Sequence, residues 1–411
     1  MSKKVVLVWF RNDLRLHDNE VLAEAILKSD LIIPVYCFDT RYFQKNNFDH
    51  YNTGTNRTEF LIQSVTALKN ELKAMGSDLM TFIGYPEEIL PKLCAKYEVD
   101  EVYHHREVAS RETDISEKVE EALWENKINL RHFIGHTLFH KEDLPFPIKD
   151  IPDKFNIFRK KVERESHVRA AIPAPAKIIS PQHLEETAVP TLAELGFSAE
   201  EVQSTNLNLE GGEGNAIAAL ERLLDPVYQG IQNFTSISPY IAVGALSPIY
   251  VYQRMQESNL IQNKKRYERL MNMLFWRDYF RFMLKKYPNI FFKKQGIQQD
   301  IKGTDFTHPE HLERWKNGTT GEDSVDELMK ALRETGNLTY AERRLVSKYF
   351  TAEVDSNWLI GASYFEEQLL DYAPATTYGF WAHISGVGTS PKENSTPSWQ
   401  EFAKKIQLQK Q

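Results

Sequence analysis

The hydrophobic pattern along the chain changes character twice. Apolar runs at 5–10 (VVLVWF), 31–38 (LIIPVYCF), 79–83 (LMTFI), 101–103 and 128–134 alternate with amphipathic stretches near 20–29, 58–75, 86–97 and 112–126. Runs that are apolar throughout read as strands buried on both faces, and their alternation with helices predicts parallel strands joined by helical crossovers. From about 140 the texture turns proline-rich, LPFPIKDIPDKFNIFRKKVERE and then AIPAPAKIISPQ, with one short basic helix expected near 153–165. Beyond 215 only helical periods remain, at 215–230, 247–257, 265–286, 309–317, 323–335, 340–352 and 361–370. The expected fold class is α/β over residues 1–135, a doubly wound parallel sheet, then a connector over 136–210 and an all-helical domain over 211–411.

Charge sits where such a sheet binds ligands. Strand one runs directly into Arg11, Asp13, Arg15, His17 and Asp18; FDTRYF (38–43) and HHREVASRE (104–112) follow two further strands. Ligands of doubly wound sheets bind outside the carboxyl ends of the strands. For the first set a structural role is expected, knitting the loop, with Asp18 or Asn19 capping the next helix. Neither GxGxxG nor GxxxxGK[ST] occurs in this half, which argues against a dinucleotide fingerprint, a P-loop and a nucleotide-using transferase. His136 and His140 in HTLFH have the i, i+4 spacing of helical metal ligands, but no third ligand lies nearby and Pro145 and Pro147 restrict a helix. No metal site is expected there or at His104 and His105.

With 411 residues the chain suits two domains, and 42% hydrophobic content is enough to give both a core. Cys37 and Cys94 both lie in apolar segments and form no disulfide framework; a reducing, cytoplasmic setting is expected. The apolar run after MSKK is too short for a signal peptide or a membrane span. Net charge is −7, against indiscriminate coating of nucleic acid. Yet Lys264 to Lys294 holds ten Lys or Arg against Glu268 and Asp278, a local balance of +8, interleaved with aromatic residues. Phe275, Tyr279 and Phe282 fall on one helical face there and read as a core stripe.

VVLVWFRNDLRLHDNEVL, LPFPIKDIPDKFNIFRKKVE, SPYIAVGALSP (238–248), FWRDYFRF (275–282) and NWLIGASYFEEQLLDY (357–372) together resemble the cryptochrome/photolyase family, with a pattern nearest the DASH cryptochromes. The resemblance spans about 5 to 391. It implies an antenna domain, a linker and a helical domain holding U-shaped FAD. It also implies blue-light chemistry: electron transfer from reduced flavin that splits cyclobutane pyrimidine dimers, or light sensing. By the same resemblance Thr235, Ser238 and Arg277 hold the flavin diphosphate, and Arg343 pairs with Asp371 beside the ring. Trp381 and Trp358 match an electron-transfer chain, and Trp276 stacks on a lesion. The implied partner is DNA, as a single strand or a flipped-out lesion, bound by a monomer. An antenna cofactor, folate or deazaflavin, is left open, because ASRETD (109–114) lacks the Asn-Glu pair some members use.

Several positions depart from that pattern. Ala373 stands where the family has an Asp, Tyr340, Thr377 and Phe380 where it has asparagines, Met273 where it has a lesion-contacting glutamate, and Phe234 where it has a hydroxyl. The segment from Leu220 to Phe234 is short, Phe306 stands at the third tryptophan of the chain, and SPKENSTPSWQEF replaces the usual ending. Each lost hydrogen bond is worth ~1 kcal/mol. The alternative these losses support is a member with weakened or lost flavin binding that serves as a nucleic-acid or protein-binding module.

Overall fold

A computed structural model describes residues 3–227, 234–297, 306–389 and 398–410. The N-terminal part is strand and helix in turn: β1 (Val5–Phe10), α1 (Glu20–Lys28), β2 (Leu31–Phe38), α2 (Thr55–Ala74), β3 (Met80–Ile83), α3 (Pro86–Tyr97), β4 (Glu101–His105), α4 (Ser110–Trp124) and β5 (Asn129–Phe133). All neighbours are parallel, in the order β3-β2-β1-β4-β5, so β1 lies at the centre. Its six residues are all buried because both faces are covered. Val5, Leu7 and Trp9 pack with Leu93 of α3 and Val119 of α4; Val6, Val8 and Phe10 join α1, α2 and a core continuous with the helical domain.

The connector carries α5 (Phe155–Glu165) and the short α6 (Ala199–Gln203). Between them it is fastened to the sheet: Ile32 N–H donates to Ile179 O (2.8 Å), and Thr81 N–H to the Thr187 hydroxyl (2.8 Å). The helical part follows as α7 (Glu213–Leu224), α8 (Ser238–Ala242), α9 (Pro248–Glu257), α10 (Lys264–Lys286), α11 (Pro309–Asn317), α12 (Asp323–Thr335), α13 (Tyr340–Tyr349), α14 (Trp358–Gln368), α15 (Pro374–Ile384) and α16 (Trp399–Lys410). The helix expected to 230 stops at Leu224, where Asp225 precedes Pro226 and takes extended backbone. The stretch expected to 352 leaves the α form after Tyr349 for a π turn, Phe350–Val354. Periodicity gave no sign of α15, since PATTYGFWAHI is apolar nearly all round and buried. Among the described residues no helix is long and apolar enough to cross a membrane.

The charged loop after β1 is structural, as expected, but it joins domains as well as knitting itself. Asn19, not Asp18, caps α1, accepting from Leu22 N–H at 3.1 Å. Asp18, at φ +44°, accepts from Ile172 N–H and from the Ser247 hydroxyl. Arg15 is buried, and its guanidinium donates to the carbonyls of His17 (3.1 Å), Asp18 (2.9 Å), Gly244 (2.9 Å) and Gly135 (3.2 Å). His17 Nδ1 meets the Glu213 carboxylate, while its Nε2 accepts from Ser247 N–H at 3.3 Å. Gly244, at φ +73°, is pressed so close to this loop that a Cβ would lie 1.7 Å from Asn12 O. Only glycine permits that approach.

Glu213 links sheet and helices. Burial alone would raise its pKa, but the hydrogen bond and charge of His17 and the N–H groups of Leu16 and His17 hold it below the usual carboxylate value. A lowered folded pKa means stability that is present above the unfolded value of ~4.3 and is lost as pH falls through the lower folded one. Glu213→Gln is expected to cost about 1–3 kcal/mol at neutral pH in urea unfolding. The gap from wild type closes as the solution is acidified below the carboxylate range.

Candidate functional site

Between α8, α10, α13, α14 and α15 lies a cavity with about 940 Å³ of empty space. Its walls are mostly apolar, from Ile241, Met273, Trp276, Phe280, Phe365 and Phe380. One edge is polar. Arg343 Nη2 donates to both Asp371 oxygens at 2.9 and 2.8 Å, its Nε to Leu338 O at 2.9 Å, and Ser238 Oγ donates to Asp371 Oδ2 at 2.7 Å. Local sequence sets this up: a capping box between Thr339 and Glu342 starts α13 one turn before Arg343, and Leu370 N–H bonds Gly336 O just before Asp371.

Arg277 lies on the same cavity, buried on α10, and donates to His136 O. Burial and the neighbouring Arg281 disfavour its charge and the nearby carboxylates of Asp278 and Glu107 favour it, the balance lying toward a lowered pKa; no carboxylate among the described residues contacts it directly. A guanidinium is nonetheless always protonated in proteins, so this is a buried cation with no contact ion pair. Asp278, next in the chain, turns the other way and accepts from Leu138 and Phe139 N–H, both at 3.0 Å; burial raises its pKa to about 6.

Of the expected site residues, Thr235, Ser238, Trp276, Arg277, Arg343 and Asp371 all line this cavity. Trp276 is stacked face to face on Phe155 of α5, ring centroids 3.7 Å apart and 8° from parallel, so the connector covers one side of it. Trp358 and Trp381 are buried outside the lining. The departures converge on the same place: Phe234, Met273, Tyr340, Ala373, Thr377 and Phe380 all line it. Tyr340 does not fill the space; its ring stands edge-on to Phe380 at 5.7 Å and is 40% exposed. Of the three other departures, Phe306 is half-buried, and the short segment before Phe234 and the altered ending fall partly outside the described residues.

The basic stretch of α10 is not one surface. Lys264, Lys265 and Arg269 are exposed, whereas Arg277 and Arg281 are buried and Lys286 pairs with Asp153 at 2.7 Å. The expected core stripe of Phe275, Tyr279 and Phe282 is buried. His136 lies on no helix and is buried against Glu107, and among the described residues no three His, Cys, Asp or Glu side chains come together to hold a metal.

Sequence reasoning missed a second cavity, of about 1080 Å³, between the carboxyl edge of the sheet and the helical domain. Arg11, Tyr36, Tyr42, Arg57, Glu112 and Tyr372 line it, and it shares Ala242, Arg277 and Ala373 with the first. The strand-end rule pointed to the place; nothing local marked Arg57 or Tyr372, which reach it from another element. Burial raises the pKa of Glu112, and raises those of Tyr42 and Tyr372 strongly. A third hollow, of about 1000 Å³, holds Ser110, Thr113 and Asp114 of ASRETD with Arg106, Lys141 and Lys285.

A parallel sheet docked on a helical domain, with an apolar cavity edged by an Arg–Asp pair, is the class of architecture found in light-driven flavoproteins. Residues 6–176 match the family model for DNA photolyase, and residues 270–407 the FAD binding domain of DNA photolyase. The chain is 36% identical over 410 residues to Cryptochrome DASH of Gloeobacter violaceus, spanning 95% of this chain and 81% of that one. It is also 36% identical to Cryptochrome DASH of Danio rerio, spanning 96% and 79%. The crystal structure of a Synechocystis sp. PCC6803 cryptochrome superposes with a TM-score of 0.88 at 31% identity, covering all of this chain and 88% of the other. The chain belongs to the cryptochrome/photolyase family, close to its DASH cryptochromes.

The residues present fit FAD: flat apolar walls suit a ring system, Arg277 has no contact ion pair and a diphosphate would supply one, and Arg343 with Asp371 gives a polar edge. Asp371→Asn leaves the half-buried Arg343 without its counter-charge. We expect a loss of about 1–3 kcal/mol in urea unfolding, most of it recovered when Arg343→Met is added.

Proposed function

We propose that this protein binds FAD in the helical cavity and uses blue light to drive one-electron chemistry there, for light sensing or for repair of cyclobutane pyrimidine dimers in DNA. The observation that carries the reading is the buried Arg277, in direct contact with no carboxylate among the described residues, on the wall of an apolar cavity whose polar edge is the Arg343–Asp371 pair. Bound FAD supplies light absorption and a one-electron donor. The chain's residues do the rest. Thr235 and Arg277 hold the diphosphate, while Ser238 commits its one hydroxyl proton to Asp371 instead. Arg343 places positive charge beside the ring, which favours an electron-rich form, and Asp371 with Ser238 keeps that guanidinium oriented. Phe280, Phe365 and Phe380 exclude water, so these charges act in a low dielectric.

The apolar departures leave the edge pair intact, so ring contacts shift from hydrogen bonds to packing. Met273 offers no proton to a substrate base, and we infer that a lesion is held by stacking and shape, with Trp276 presenting the side that Phe155 does not cover. A single strand or a flipped-out base is the substrate form such a cavity admits. The cavity at the strand ends and the hollow beside ASRETD are, among the described residues, the candidate places we assign to an antenna chromophore. Free, buried Cys37 and Cys94 fit a reducing cytoplasm, and we take the working unit to be a monomer.

Purified protein supplied with FAD should turn yellow and photoreduce in blue light. Arg277→Leu should weaken FAD binding by about ten- to a hundredfold in fluorescence titration, the worth of a charge-assisted hydrogen bond. Wild-type protein that takes up no FAD overturns the reading. Binding to a dimer-containing single-stranded oligonucleotide should fall as salt rises, and light-dependent loss of the dimer separates repair from sensing.

A further inference from the structure

One imidazole lies on the wall of the helical cavity. His383, in the last turn of α15, is half-buried, its ring 5.7 Å from that of Trp276 and tilted 54° to it. Phe155 covers one face of Trp276, so a flat group that enters the cavity and stacks on the indole comes to lie beside His383. Met273, one turn before Trp276 on α10, and Phe280, one turn after it, have no proton to give. The Tyr340 phenol is pushed up by burial from an ordinary value that is already high, and Asp371 is engaged by Arg343 and Ser238. Among the lining residues only the imidazole is of a type that exchanges a proton between about pH 5 and 8.

The charges that bear on this imidazole come from every element packed against α15. Arg277 of α10 and Arg343 of α13 oppose an added proton, and Asp371, just beyond α14, favours it. Glu366 of α14 is already taken by Arg111 at 3.0 Å and by the Tyr378 hydroxyl at 2.7 Å. The turn Ile290–Phe292 beside α15 brings no titratable group. The carbonyls that end α15 carry partial negative charge, which favours a cation in the last turn. His383 is thus a cation-capable donor at the place where the family's lesion-contacting glutamate, Met273 here, has been lost.

We propose that His383 is a catalytic residue of this cavity: its imidazolium N–H donates to a carbonyl oxygen of a pyrimidine dimer stacked on Trp276, the atom on which negative charge gathers when the dimer accepts an electron. The proposal rests on the flavin reading of the cavity. The dimer takes one electron from reduced flavin, the two carbon–carbon bonds that join its bases break, and the electron returns to the flavin. The imidazole proton is shared with the carbonyl oxygen while the extra electron is on the dimer, and stays on nitrogen when the electron leaves. No proton is consumed. A donor placed where charge develops stabilises that state more than the neutral dimer.

The test measures, on the flavin-loaded full chain, the ratio of affinities for a single-stranded oligonucleotide with and without a thymine dimer, from about pH 5.5 to 8.5. Taking the ratio cancels the titration of groups that contact only the strand. In wild type it should be highest on the acid side and fall about tenfold as the imidazole loses its proton, the worth of a charge-assisted hydrogen bond. His383→Phe keeps a ring against Trp276, and there the ratio should stay at the low, alkaline value at every pH. His383→Gln keeps a donor without a titration and should give an intermediate ratio that is also flat. Light-driven loss of the dimer should fall about ten- to a hundredfold in His383→Phe. A wild-type ratio that does not change with pH, or a His383→Phe chain with the wild-type profile, overturns the proposal, and the wild-type profile with His383→Gln decides the matter even if His383→Phe fails to fold. A chain that takes up FAD but shows a flat ratio refutes the role of His383 alone. A chain that takes up no FAD refutes the site itself.

Discussion

The structure depends on how the loop after β1 grips the turn between α8 and α9. Arg15 carries a full charge into the junction and satisfies it with backbone carbonyls from three segments, at Asp18, Gly135 and Gly244. Glu213 receives two N–H groups from the same loop as well as His17. A buried cation that loses such partners is costly, so the two domains have one relative placement. The consequence reaches the site directly. Val243 accepts from Leu14 N–H, and the residue before it, Ala242, lies on the wall of both large cavities. The central strand of the sheet thus fixes one side of a pocket in the helical domain.

That arrangement explains how the site can tolerate so many changed residues. The departures from the family pattern sit on walls held by helix packing and by the domain junction, not on the anchors themselves. Ala373 illustrates it. It is the N-cap of α15 and provides no side-chain acceptor, where an aspartate is among the best capping residues. The helix nonetheless starts there, because Pro374 is already set for its first turn and the following residues are buried against α10 and α14. Packing substitutes for the cap, and the wall between the two cavities becomes a small apolar one.

The sheet was legible because its strands are apolar on both faces and its helices on one, which leaves two unmistakable periods. Helices α11 and α12 were equally plain, each closed by a glycine in the left-handed region, Gly318 and Gly336. α15 was not, because a helix buried all round has no stripe. The site residues near the motifs were legible only through family likeness, since Arg343 and Asp371 are 28 positions apart with nothing local to pair them. The charge run on α10 misled for the same reason: sequence shows that Arg277 and Lys264 are both cations, but only the fold puts one inside a cavity and the other in solvent. The second cavity draws on the sheet, α2 and the segment after α14, a convergence that no local pattern encodes.

The loss of polar wall groups has a directional consequence for any ring in the cavity. Stacking and dispersion hold a flat ligand firmly but say little about its rotation in its own plane. Hydrogen bonds do fix that rotation, and with Ala373, Thr377 and Phe380 on the wall, the fixed charges on it are Arg277 and the Arg343–Asp371 pair. Asp371 has both oxygens engaged by Arg343 and one also by Ser238, so the pair is rigid before anything binds. What this wall offers to orient a flat ligand is therefore a preformed guanidinium–carboxylate edge. Such an edge costs little reorganisation when charge appears on the ring, which is the condition under which fixed dipoles stabilise it best. The architecture has exchanged redundancy of contact for rigidity of a single one.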